Sequence, residues 1–122
     1  MHTIAEAAEL AGLTPDTLRY YERDGLMLGP VPRSSSGHRV YGPDEMRWIH
    51  MVSCLRATGM PIRGVREYAA LIREGDTTAG SRLDLLRDHR EAVLAQLAET
   101  QQHLLAIERK IALYEDQVAT AA

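Results

Sequence analysis

A chain of 122 residues with 25% charged and 45% hydrophobic side chains has the balance of one small globular domain with an appendage, and excludes a disordered segment. It holds no Phe and one Trp, so its core must come from Leu, Ile, Val, Ala and Met, and a core that thin is commonly supplemented by oligomerisation. The formal net charge of −3 is not that of a general nucleic-acid binder, and the single Cys54 excludes an intramolecular disulfide framework and fits a reducing compartment.

The first periodic stretch runs from Thr3 to Ala11. Thr3 is a helix N-cap with Glu6 as its capping-box partner, Ile4, Ala7, Ala8 and Ala11 form one apolar face, and Gly12 stops the helix. A second start follows at once. Thr14 caps, Pro15 takes the first helical position, and the helix runs to Asp24 before Gly25. Two short helices around Gly12-Leu13-Thr14 make a helix-turn-helix, although a generic helical hairpin shares these caps. The second helix carries Arg19-Tyr20-Tyr21; Leu18 is expected to face the core and Arg19 to point outward.

From Leu26 to Tyr41 the helical period disappears. Pro30, Pro32, three serines and Gly37 lie between Val31 and Val40, which reads as a small β-hairpin with a polar tip. A hairpin after a recognition helix, bearing Arg33 and Arg39, is a wing suited to the DNA backbone or minor groove. A third helix is expected over 43–58, with Trp48, Met51, Val52 and Leu55 as its stripe, and a fourth over 61–74, with Val65, Ala69 and Ile72 inward. Their short connection brings Arg56 and Arg63 to one corner as a second wing. Residues 1–75 are thus expected to form a winged helix-turn-helix domain and 76–80 a polar connector.

Between Ser81 and Val118 there is neither Pro nor Gly. Leu83, Leu86, Arg90, Val93, Leu97, Thr100, Leu104, Ile107, Ile111, Tyr114 and Val118 recur alternately every three and four residues, a heptad seam interrupted only by Arg90 and Thr100. A helix over 81–118, roughly 55–60 Å long, exceeds what a small domain can cover, so it is expected to dimerise, with 119–122 as a short tail. The seam does not separate parallel from antiparallel pairing.

Charge is placed unevenly. Residues 1–75 hold nine Arg and nine Asp or Glu, whereas 76–122 hold five basic and eight acidic residues. Residues 25–43 contain no acid but Arg33 and Arg39, and residues 46–66 contain no acid but Arg47, Arg56, Arg63 and Arg66. Such stretches form a local positive face for phosphate, or an ordinary solvated surface. No run approaches transmembrane length, so a cytoplasmic protein without membrane contact is expected. No nucleophile–base pair, phosphate loop or carboxylate pair appears, so no enzyme activity is expected.

Thr3-Ile4-Ala5-Glu6, Thr17-Leu18-Arg19-Tyr20-Tyr21-Glu22, Gly25-Leu26, Gly37-His38-Arg39-Val40-Tyr41 and Gly59-Met60-Pro61-Ile62, in this order and followed by a long helix, resemble the MerR (mercury-resistance regulator) family of bacterial transcription factors. The resemblance spans essentially the whole chain. It implies a homodimer joined by an antiparallel coiled coil of the last helix. It also implies a pseudo-palindromic promoter operator, and regulation by bending and untwisting the promoter spacer for RNA polymerase. Carried over onto this sequence, it assigns DNA contact to Arg19 and Tyr20 on the recognition helix, Arg33, Gly37, Arg39 and Tyr41 in the first wing, and Arg56 in the second, with Arg63 beside it. Thr14, Asp16 and Thr17, at the start of the recognition helix, are expected DNA contacts as well; an acid at Asp16 would favour reading a cytosine amino group, or simply cap the helix. Asp16 stands where some relatives carry a basic residue, and His38 where the family usually has Tyr.

Metal-sensing members carry Cys pairs late in the chain. Here no Cys lies beyond position 54, so neither a thiolate metal site nor a cofactor is expected. Cys54, flanked by Arg56 and one helical turn from His50, resembles the single Cys of an aldehyde- or electrophile-responsive branch. The alternative is a small buried hydrophobe. Two other readings stay open: an architectural DNA-binding protein of the recombination-directionality type, and a coiled-coil interaction protein whose helix-turn-helix does not bind DNA.

Overall fold

The computed structural model describes residues 1–121; of the tail expected at 119–122, residue 122 lies outside the described residues. The fold is mainly helical, with α1 (Ile4–Ala11), α2 (Pro15–Arg23), α3 (Pro43–Ala57), α4 (Ile62–Glu74) and α5 (Ala79–Ala121). The chain divides into a head, Met1–Leu86, and a remainder from Arg87 onward.

In the head, local chemistry sets the helix ends. The Thr3 hydroxyl accepts from the Glu6 N–H at 3.1 Å, and the Glu6 carboxylate accepts from the Thr3 N–H at 2.8 Å, a complete capping box. These two hydrogen bonds with Thr3 hold the Glu6 carboxyl below its ordinary value. Gly12 ends α1 with φ +70, a left-handed conformation that glycine adopts without a Cβ clash. Thr14 restarts the chain as a helix by accepting from the Thr17 N–H at 3.1 Å, with Pro15 next.

The core collects the inward face of each helix. Ala7 and Ala8 from α1, Leu18 and Tyr21 from α2, Ile49, Val52 and Leu55 from α3, and Val65 and Ala69 from α4 are buried. Trp48 lies among them, its indole N–H donating to the Leu26 carbonyl at 2.7 Å and its ring 5.6 Å from that of Tyr68. Met51 and Ile72, expected inward, are half-buried against this cluster.

Two expectations are corrected. The wing is not a regular hairpin. Arg33 and Arg39 make a single antiparallel bridge, supported by Val40 N–H to the Pro32 carbonyl and Ser34 N–H to the His38 carbonyl, both 2.8 Å. Pro30 and Pro32 have no N–H, so a longer ladder lacks its donors on that limb. The wing's far end is instead fastened to the N-terminus, where His2 and Tyr41 exchange two backbone hydrogen bonds of 2.8 Å.

The expected connector over 76–80 shrinks to a 3-10 turn at Asp76–Thr78, with α5 starting at Ala79. The buried Thr78 hydroxyl donates to the Leu71 and Gly75 carbonyls, covering the open end of α4 where a polar connector was expected. Leu86, also expected in the dimer seam, is half-buried and packs with Leu85 on the head's own core, which leaves part of its surface for a partner helix.

In the remainder of the chain, α5 continues through Ala121, three residues past the expected end at Val118. No residue of this helix is buried: Leu97, Leu104, Ile107, Ile111 and Tyr114 are each about half-exposed and Val118 more so. No helix among the described residues is long and apolar enough to cross a membrane.

Candidate nucleic-acid interface

Helix α2 turns Leu18 and Tyr21 into the core, which leaves Asp16, Arg19 and Arg23 facing solvent and Tyr20 half-buried. Burial pushes the Tyr21 phenol above its ordinary range, as befits a core residue. Thr14 and Thr17 join hydroxyls at 2.9 Å at the start of the helix. Arg19 donates to Asp16 at 2.8 Å, both exposed. Arg23 lies 5.9 Å over the Tyr20 ring, and Arg66 of α4 reaches the Tyr20 hydroxyl at 3.5 Å.

Arg19, Arg33, Gly37, His38 and Arg39 line one groove between α1, α2 and the wing. The wing tip is shaped by Gly37 at φ +85, whose carbonyl accepts from Arg33 at 3.0 Å. This partner of Arg33 is a carbonyl and not a carboxylate, so the contact is no ion pair. Arg39 is different. Its Nε donates to the Glu22 carboxylate at 2.6 Å, and both side chains are largely covered. The other Glu22 oxygen accepts from the Val31 N–H at 2.9 Å. One carboxylate of the recognition helix therefore holds both limbs of the wing.

Burial alone would raise the Glu22 carboxyl. The hydrogen bonds from Arg39 and Val31 and the charges of Arg39 and Arg33 outweigh it and hold the group below its ordinary value. Tyr41 departs from its expected role. It is fully buried, its hydroxyl has no hydrogen-bond partner among the described residues, and burial raises its phenol. As a core residue it offers no surface to DNA. Its backbone pairs with His2 in an isolated antiparallel bridge.

At the second corner, Arg56 donates to the Met60 carbonyl at 2.7 Å and closes the α3–α4 turn. Arg63 is exposed with no partner among the described residues. Three residues that sequence reasoning left out complete the geometry. Glu22 fixes the wing, Arg66 donates to the Asp24 carbonyl and carboxylate, and Arg73 donates to the Met27 carbonyl at 2.7 Å. The last two tie α4 to the end of the recognition helix and the loop after it. The acid-free run ending at Arg66 carried a hint of one of them; nothing local signalled the others. Cys54 is exposed on α3, so the alternative of a buried hydrophobe does not hold in the single chain. Among the described residues no three His, Cys, Asp or Glu side chains cluster as a metal site.

An outward arginine-bearing helix, a groove and a braced wing are the parts of a DNA-reading head. The family model for the MerR HTH family regulatory protein matches residues 2–71. The chain belongs to the MerR family. It is 43% identical over 91 residues to the HTH-type transcriptional regulator AdhR of Bacillus subtilis, an alignment covering 75% of this chain and 64% of AdhR, so the chain spans just under two thirds of that relative. An HTH-type transcriptional regulator of Haemophilus influenzae is 34% identical over 93% of this chain and 84% of its own. Among solved structures, a MerR family regulator from Listeria monocytogenes superposes with TM-score 0.88 at 36% identity, covering 99% of this chain and 91% of its own. HiNmlR, described as a MerR family regulator lacking the sensor domain, bound to promoter DNA, superposes with TM-score 0.87 at 33% identity over 99% of this chain and 95% of its own. The relatives named here are all described as transcriptional regulators.

Proposed function

We propose that the chain works as a homodimer on a pseudo-palindromic operator inside a promoter, bending and untwisting the spacer so that RNA polymerase is affected through the DNA rather than by contact. The observation that carries this reading is the seam of α5. Leu97, Leu104, Ile107, Ile111, Tyr114 and Val118 stand at heptad spacing with about half or more of their surface in water, on a helix that buries none of its residues. A second α5 covers that seam, in the antiparallel order the family resemblance implies, and presents two heads to two half-sites. The likeness to HiNmlR, described as bound to promoter DNA, supports the same use. A helix of 43 residues argues against the small architectural proteins.

Arg19, Arg33 and Arg63 are exposed cations on the recognition helix, the first wing and the second corner. Replacing all three with Ala lowers affinity for a footprinted operator by about 100-fold or more and flattens the salt dependence by several ions per dimer. Unchanged affinity and slope in a gel-shift titration would remove the DNA reading of this face.

The signal, in this reading, enters at Cys54. Its thiol is exposed on α3, one helical turn from the exposed His50, and so is open to aldehydes or other thiol-reactive electrophiles. Cys54→Ala is expected to hold promoter output constant when a reporter strain is exposed to an aldehyde or diamide, while the wild type responds. Equal responses exclude Cys54 as the sensor.

A further inference from the structure

Asp16 is an acid on a surface meant for phosphate. It occupies the first turn of α2 with its side chain 93% exposed, and its carboxylate accepts from Arg19 at 2.8 Å. With Leu18 and Tyr21 buried, this pair stands on the outward side of the helix, and Arg19 lines the groove shared with Arg33, Gly37 and His38. The other acids around this helix are engaged elsewhere: Glu22 braces the wing, and Asp24 receives Arg66 at the far end. Favourable alignment with the helix dipole accounts for an acid in a first turn, but Thr14 and Pro15 already fix that terminus. The dipole does not account for an acid that is ion-paired to an arginine of the groove.

A phosphate approaching Arg19 meets Asp16 as a like charge and must displace it as the arginine's partner. At a site that offers the guanidinium a matched acceptor, that exchange is repaid by directed hydrogen bonds. At an arbitrary site it is not. We infer that Asp16 is a specificity-determining positioning residue: it holds the Arg19 fork in one orientation and suppresses binding of this helix to non-operator DNA. The head's arrangement agrees with this, since residues 1–75 carry as many acids as arginines and have no excess charge for indiscriminate phosphate binding.

The inference rests on the reading of α2 as the helix that meets the operator, and the experiment separates the two. The full-length wild type, Asp16→Asn, Asp16→Glu, Arg19→Ala and the Asp16→Asn/Arg19→Ala double variant are titrated against two probes. One is a duplex enriched from a random-sequence pool by the wild type, and the other is a scrambled duplex of the same composition. Asp16→Asn is expected to tighten binding to the scrambled duplex about three- to tenfold and to steepen its salt dependence by about one to two ions per dimer. Operator affinity changes less, so the ratio of the two affinities falls. Asp16→Glu keeps the ratio, and Asp16→Asn has no effect on it when Arg19 is already Ala. The inference is overturned if Arg19→Ala weakens operator binding while Asp16→Asn leaves both affinities and the slope unchanged. It is also overturned if Asp16→Asn weakens the operator alone, because Asp16 then reads a base itself. A silent Arg19→Ala removes the reading of α2 and the inference with it.

Discussion

Placing Asp at both Leu104 and Ile107 is expected to leave the protein monomeric and to reduce operator affinity by at least about 100-fold. Both side chains are half-exposed in the single chain, so their remaining apolar surface is available to a partner helix. Full burial of a Leu or Ile side chain contributes about 1.5–3 kcal/mol; with half of each already covered, the four contacts a symmetric dimer loses come to about 3–6 kcal/mol, a large part of the roughly 8 kcal/mol of a micromolar complex. The charged replacements add the cost of desolvating carboxylates at the seam. Sedimentation velocity over a concentration series checks the first half of the expectation, and a gel shift on an operator with both half-sites checks the second. The helix itself should weaken too, because a long solvated helix without tertiary support is marginal, and far-ultraviolet circular dichroism should show it. A double variant that sediments as the wild type does would rule out this seam as the dimer interface. Placing Asp at Leu86 is the control. That residue already packs on its own head, so its replacement should cost fold stability more than it costs association.

Legibility in the sequence followed the range of the interactions. The ends of α1 and α2 were readable because a capping box, a proline and a left-handed glycine act within four residues of one another. The wing was readable as a wing but not as this wing. Its brace joins Glu22 to Arg39, seventeen positions apart, and no periodicity reports such a pair. Tyr41 was assigned outward because it closes a motif whose neighbours face DNA. It is buried, and its backbone pairs with His2 from the other end of the head. The stretch from Gly75 to Gly80 has the composition of a linker, yet one threonine hydroxyl turns it into a helix cap, and α5 begins two residues early. Among the interface cations the sequence shows charge but not partners. Arg33 and Arg63 have no carboxylate partner among the described residues, Arg19 is paired with an exposed carboxylate, and Arg39 belongs to the scaffold. These differences decide which substitutions alter DNA binding directly and which alter it through the fold.

Glu22 is the residue whose loss should separate those two effects. In Glu22→Gln the side chain keeps its size but loses the charge that holds Arg39 and one of two strong acceptors. With both partners largely but not fully covered, the cost to stability is about 1–2 kcal/mol. Operator affinity is expected to fall about tenfold as the wing loses its fixed position on α2, since displacement of a preorganised contact weakens directed hydrogen bonds. Affinity for scrambled DNA should hold or rise, because Arg39 is released as a free cation. A pH series tests the same contact independently. The folded Glu22 carboxyl lies below its ordinary value of 4.5, so its contribution is complete above that pH and is lost as pH falls through the lower folded value. The stability gap between wild type and Glu22→Gln should therefore be constant near neutrality and narrow progressively below pH 4.5. Glu6 is also depressed, but it is common to both proteins and cancels in the difference. Urea unfolding of the pair, stepped from neutral to acid pH, gives the gap directly. A gap that stays constant through the acid range would mean that the carboxylate does not brace the wing. The loss of operator affinity would then have to come from α2 alone.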